Sequence, residues 1–120
     1  MNTEAHGARA FVAVGSNIEP ECNIMLALDK LRQLVTVQAT SKVYRTPPFE
    51  RPEQPMFFNG VWAVLTDLPA RTLKFDVLRR IEGELGRERS EDRYAARTID
   101  LDLVLYGDAV IDEPGLRIPD

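Results

Sequence analysis

Changes in the spacing of apolar positions along the chain mark out six elements. Ala8 to Gly15 is a short apolar run that reads as a buried strand, followed by turn and capping chemistry in Ser16-Asn17-Ile18-Glu19-Pro20. From Glu21 to Leu34 the residues Ile24, Ala27, Leu28, Leu31 and Leu34 recur at threes and fours, the stripe of an amphipathic helix. Val35, Val37 and Ala39 then alternate with polar residues towards Tyr44, a second strand. Pro47, Pro48, Pro52 and Pro55 make Arg45 to Pro55 a stiffened loop. Phe57 to Thr66 is a third strand, with Phe57, Asn59, Val61, Ala63 and Leu65 on one side and Phe58, Gly60, Trp62 and Val64 on the other. Asp67-Leu68-Pro69 opens a second helix with the stripe Leu73, Val77, Leu78, Ile81 and Leu85, and Gly86 stands where a C-terminal glycine belongs. Ile99 to Tyr106 is a fourth strand, and a short irregular tail runs to Asp120.

The order is βαββαβ, without an internal repeat or linker. It predicts an α+β, ferredoxin-like split βαβ fold, a four-stranded antiparallel sheet with two helices on one face. A single domain over residues 1–120 is expected, with 1–7 as a flexible tail and 86–97 as a mobile arginine-rich loop. That fold hosts many functions and decides none of them.

Composition narrows the classes. With 120 residues, 44% of them hydrophobic and 28% charged, the chain has the balance of a globular domain and excludes a disordered or fibrous one. Its longest apolar stretch, Val61 to Leu65, is too short to cross a bilayer, so no membrane partner is expected. Met1 to Gly7 is polar and shows no leader pattern. The lone Cys22 excludes an internal disulfide and a cysteine-built zinc site, which fits a cytoplasmic setting. The lone His6 lies in the polar tail, so no serine–histidine–acid or cysteine–histidine arrangement is available. A net charge of −4 argues against nucleic acid as a partner.

That net charge is unevenly spread. Residues 71–97 carry eight basic and six acidic side chains, and residues 98–120 carry one basic and six acidic. Arg87, Arg89, Arg93 and Arg97 fall close together, and arginine forks match phosphate oxygens bidentately. Directly after them, period two in Ile99 to Leu105 sends Ile99, Leu101, Leu103 and Leu105 to a buried face. Asp100 and Asp102 are left together on the other face, about 6.6 Å apart along the strand. Two readings stand at this point: solvated surface charges, or a pair that holds magnesium beside a phosphate compound. No phosphate-cradling glycine loop is present, so a nucleotide would rest on side-chain cations and metal. A second candidate lies in Tyr44-Arg45-Thr46-Pro47-Pro48-Phe49 and Phe57-Phe58-Asn59. There fixed backbone groups, the Asn59 amide and an aromatic ring could read a planar heterocycle, or the aromatics could simply be core.

These pieces resemble the 6-hydroxymethyl-7,8-dihydropterin pyrophosphokinase family over almost the whole length. The matching segments are Val14-Gly15-Ser16-Asn17, Val43-Tyr44-Arg45-Thr46-Pro47-Pro48, Phe58-Asn59, Arg80-Ile81-Glu82, Gly86-Arg87-x-Arg89, and Arg97-Thr98-Ile99-Asp100-Leu101-Asp102-Leu103. The resemblance implies that ATP gives its terminal pyrophosphoryl group to the hydroxymethyl oxygen of a dihydropterin, releasing AMP, in folate biosynthesis. It implies two magnesium ions on Asp100 and Asp102, and phosphate binding by Arg87, Arg89 and Arg97 as catalytic residues. It also implies a pterin site from Thr46, Pro47, Pro48, Phe49, Phe57 and Asn59, and nucleotide contacts from Glu82, Arg87, Arg97 and Leu103. Family members commonly have tyrosine at the place of Phe57, tryptophan–glycine–proline at Tyr94-Ala95-Ala96, and histidine at Asp120. They also continue beyond that point, so the chain reads as a C-terminally short member that a homo-oligomer could complete.

Competing readings are a catalytically weak paralogue that binds a pterin or nucleotide or serves as a partner subunit, and a pyrophosphokinase of a methanopterin-type route. An RNA-binding module fails on charge and on the absence of aromatics with basic neighbours on the central strands. An acylphosphatase-like enzyme would need a glycine-rich loop that Gly15-Ser16-Asn17 does not provide.

Overall fold

The computed structural model describes residues 7–47, 53–87 and 96–120. Its elements are β1 (Ala8–Ser16), α1 (Pro20–Arg32), β2 (Thr36–Thr40), β3 (Tyr44–Thr46), β4 (Phe57–Thr66) and α2 (Ala70–Thr72). After α2 come a π-helical stretch (Leu73–Leu78), α3 (Arg79–Glu84), β5 (Asp100–Tyr106), β6 (Ile111–Glu113) and β7 (Leu116–Ile118). The architecture mixes helices with antiparallel sheets. The principal sheet runs β2-β4-β1-β5, and β3 also pairs with β4.

Three expectations about the strands need correction. The sheet has five strands rather than four, because the second predicted strand breaks at Ser41. There the serine N–H donates to Val61 O at 2.9 Å while its hydroxyl oxygen accepts from Val61 N at 2.8 Å. Both polar groups of Val61 are thereby satisfied by one residue, and the chain bends away before β3 begins. The tail is not irregular: Pro114-Gly115 links β6 and β7 as a two-residue turn. Gly115 has φ +76°, the positive value a type II turn needs after proline. Leu105 does not follow Leu101 and Leu103 inward. Leu103 pairs with Val12 and Leu105 with Phe11, so Val104 is an extra residue that turns Leu105 to the other face.

The core lies on one side of the sheet. Ala10, Val12 and Val14 of β1, Trp62 and Val64 of β4, and Leu101 and Leu103 of β5 form a buried cluster with both helical stretches. Ile24, Ala27 and Leu31 come from α1, and Leu73, Val77, Leu78 and Ile81 from the second helical run. The helical stripe and the strand alternation therefore meet as the sequence pattern requires, though Leu34 lies past the end of α1 and is exposed. Leu116 and Ile118 of β7 also join this cluster. The other side of the sheet is left for chemistry.

Candidate active site

The site is organised around Gly15. In the β1 register Gly15 pairs with Asn59 of β4 on one side and with Asp100 of β5 on the other. Paired residues of an antiparallel sheet project to the same face, so Asn59 and Asp100 stand on the open face about 9.5 Å apart across two strand spacings. Two residues along, Ala13 pairs with Val61 and with Asp102. The floor between the reading amide and the two carboxylates is thus glycine and alanine.

On the β4 side, Asn59 Nδ2 donates to Thr46 Oγ1 at 2.7 Å, and β3 brings Thr46 opposite Phe57. Asn59 keeps its carbonyl oxygen towards Gly15, where a Cβ would come within 3.0 Å of it. Thr46, Pro47, Phe57 and Asn59 are therefore near neighbours. Pro48 and Phe49 lie outside the described residues, as do Arg89 and most of the arginine-rich stretch 86–97.

On the β5 side, two arginines converge on Asp100. Arg87 Nη1 donates to Asp100 Oδ1 at 2.7 Å, and Arg97 Nη1 to Asp100 Oδ2 at 3.2 Å. The same Arg87 nitrogen lies 2.6 Å from Glu82 Oε2, which also accepts from the Leu101 N–H at 2.8 Å. Glu82 is 2% exposed and the Arg87 side chain 11%. Burial opposes the Arg87 charge. The hydrogen bond to Asp100 and the charges of Glu82 and Asp100 outweigh it, holding the guanidinium pKa above its ordinary value. Arg87 and Glu82 thus form a largely buried ion pair next to Asp100.

Asp102 is in a different state. Desolvation first, then the charges of Asp100, Asp120 and Glu82, push its carboxyl pKa up, against a smaller opposing effect of Lys74. A negative region that raises a carboxyl pKa is one a divalent cation relieves. Two carboxylates on one face, completed by water and phosphate oxygens, are a donor set that suits magnesium. Among the described residues no group of three or more His, Cys, Asp and Glu forms a cage, so the protein would supply only part of the coordination. Leu103 is 3% exposed and packs towards the helices, so its side chain does not share the face of the aspartates.

The sequence pattern gives Ser16 and Asn17 only turn and capping chemistry; Gly15 and Ser16 end β1 and Asn17 follows it, between the two halves. Ser16 and Asn17 are 0% and 1% exposed, a burial that marks polar residues with fixed partners. Glu82 carried a usable signal, since it falls four residues after Leu78 on the apolar stripe.

Comparison with known proteins gives a consistent result. The family model described as 7,8-dihydro-6-hydroxymethylpterin-pyrophosphokinase matches residues 11–120. A 2-amino-4-hydroxy-6-hydroxymethyldihydropteridine pyrophosphokinase of Pseudomonas aeruginosa is 41% identical over 114 residues, covering 92% of this chain and 69% of the relative. One from Pseudomonas putida is 37% identical over 114 residues and is covered to 92%, as is this chain. The folate synthesis bifunctional protein of Arabidopsis thaliana is 34% identical over 110 residues, 90% of this chain and 22% of that protein.

Proposed function

The chain belongs to the 7,8-dihydro-6-hydroxymethylpterin-pyrophosphokinase family, and from that premise we propose how its residues divide the work of a pyrophosphokinase of folate biosynthesis. The hydroxymethyl oxygen of the dihydropterin attacks the β-phosphorus of ATP. The new O–P bond forms as the bond from that phosphorus to the bridging oxygen of AMP breaks, and the hydroxyl proton passes to solvent. No protein nucleophile is required, so the residues act by positioning and charge neutralisation.

The observation that carries this reading is the row Asn59–Gly15–Asp100. It sets a group able to read a heterocycle edge beside carboxylates able to hold a metal–phosphate, with no bulky side chain between them. We assign pterin recognition to Asn59, Thr46 and Pro47, with Phe57 as a stacking surface, and on the family resemblance to Pro48 and Phe49 as well. Asp100 and Asp102 would hold magnesium, two ions in this reading, which would neutralise phosphate charge. We assign phosphate binding to Arg97 and Arg87, and to Arg89 on the family resemblance, with Glu82 supporting Arg87. Arg87 and Arg97, which bond Asp100 here, would offer their forks to phosphate oxygens once released from it.

The strand order β2-β4-β1-β5, with β3 as the detached end of the second predicted strand, supports a ferredoxin-like βαββαβ plan in a single domain. No helix among the described residues is long and apolar enough to cross a membrane. A cytoplasmic location, where ATP is plentiful, suits the reaction. The test is direct: the protein is mixed with magnesium, ATP and 6-hydroxymethyl-7,8-dihydropterin. AMP must accumulate only when the pterin is present, and its absence at high protein concentration overturns the proposal.

A further inference from the structure

We propose that Asn17 is a positioning residue that locks the pterin half of the site to the phosphate half, an inference that rests on the reading above. Asn17 follows β1, two residues beyond Gly15, and its side chain is buried. Its backbone N–H donates to Arg97 O at 3.1 Å and its Oδ1 accepts from Arg97 N at 2.8 Å. Both backbone polar groups of Arg97 are therefore held by one residue. From that fixed backbone the Arg97 side chain reaches Asp100. At the other end of the same amide, Nδ2 donates to Gln54 Oε1 at 3.0 Å and contacts Pro55 O at 3.4 Å. Gln54 and Pro55 lead into Phe57 and Asn59 at the start of β4.

The chemistry selects asparagine. A carboxamide accepts at one end and donates two hydrogens at the other. Aspartate of the same shape keeps the acceptor for Arg97 but has no donor for Gln54 and Pro55, and alanine serves neither side. Ser16 reinforces the phosphate side alone, its hydroxyl donating to Thr98 O at 2.6 Å. Asn17 thus joins two segments that lie 37 and 80 residues away in the chain.

Gln54 variants probe the pterin arm. Loss of one buried hydrogen bond corresponds to roughly three- to tenfold in a binding constant. Gln54→Leu should raise the KM for dihydropterin by about that factor and leave the KM for ATP within about twofold. Gln54→Glu, which keeps an acceptor for Asn17 Nδ2, should restore the dihydropterin KM. Equal shifts in both KM values, no shift, or failure of the glutamate to rescue would overturn the inference. A purely structural role would lower the melting temperature without splitting the two constants.

Amide hydrogen exchange on the unliganded protein supplies a readout independent of turnover. Asn17→Ala should accelerate exchange of the Arg97 amide, while Gln54→Leu should leave that amide protected. Unchanged Arg97 exchange in Asn17→Ala contradicts the inference. If the wild-type protein forms no AMP, the proposed function falls, and the exchange result alone then decides whether the tether exists.

Discussion

Gly15 and Asn59 face one another across the β1–β4 pair so closely that a Cβ on Gly15 would sit 3.0 Å from Asn59 Oδ1. The glycine is needed for this approach and not for its backbone freedom. The Asn59 amide cannot retreat without loosening its bond to Thr46 Oγ1. Gly15→Ala should therefore turn the amide away from its reading position. The expected result is a dihydropterin KM raised about tenfold, with the ATP KM changed by less than about twofold, in steady-state assays of AMP formation.

The ion pair behind Asp100 makes a stability prediction. Removing Arg87 takes away the 2.6 Å ion-pair partner of Glu82, a carboxylate only 2% exposed. Breaking one side of a buried pair costs about 3–5 kcal/mol. Arg87→Ala should approach that loss in urea unfolding, whereas Arg80→Ala, which removes the exposed pair with Glu84, should cost far less. Equal losses in the two variants would contradict the burial argument.

Asp102 predicts an inverted pH dependence. Its carboxyl pKa is raised in the folded state, so the folded protein binds that proton more tightly than the unfolded chain does. The stabilising contribution is complete below the unfolded pKa and is lost as pH rises through the folded one. Without divalent cations, Asp102→Asn should melt at a higher temperature than wild type at neutral pH, with the difference shrinking as pH falls towards the carboxylate range. Magnesium should raise the melting temperature of wild type more than that of the variant. A variant less stable than wild type at neutral pH without magnesium would refute the electrostatic account.

How much of this could be read beforehand depended on whether the cause was local. The bounds Phe57 and Thr66 of β4 were legible because ten residues alternate between a proline-rich loop and Asp67-Leu68-Pro69. Gly86, with φ +81°, ends the second helical run as its position suggested. The break at Ser41 was hidden because its cause is a pair of bonds to Val61, twenty residues away. The extra residue Val104 was hidden too, since period two continues through it and only pairing with β1 reveals the shift. The β6–β7 hairpin had its signal in Pro114-Gly115, but three-residue strands carry too little alternation to be recognised. In the site, Asp100 and Asp102 stood out through spacing alone. The pairing of Asp100 with Arg87, thirteen residues away, required the fold.

In the proposed reading the open face between Asn59 and Asp102 carries one transfer between two substrates. Phosphorus NMR of a mixture of the protein, magnesium, ATP and 6-hydroxymethyl-7,8-dihydropterin tests it most directly. Wild type should yield AMP and a pterin diphosphate in equal amounts, and Asp100→Ala and Asp102→Ala should each lower that rate by at least about a thousandfold. ADP and a pterin monophosphate as the products, or full activity in the Asp100→Ala, Asp102→Ala double variant, would contradict it.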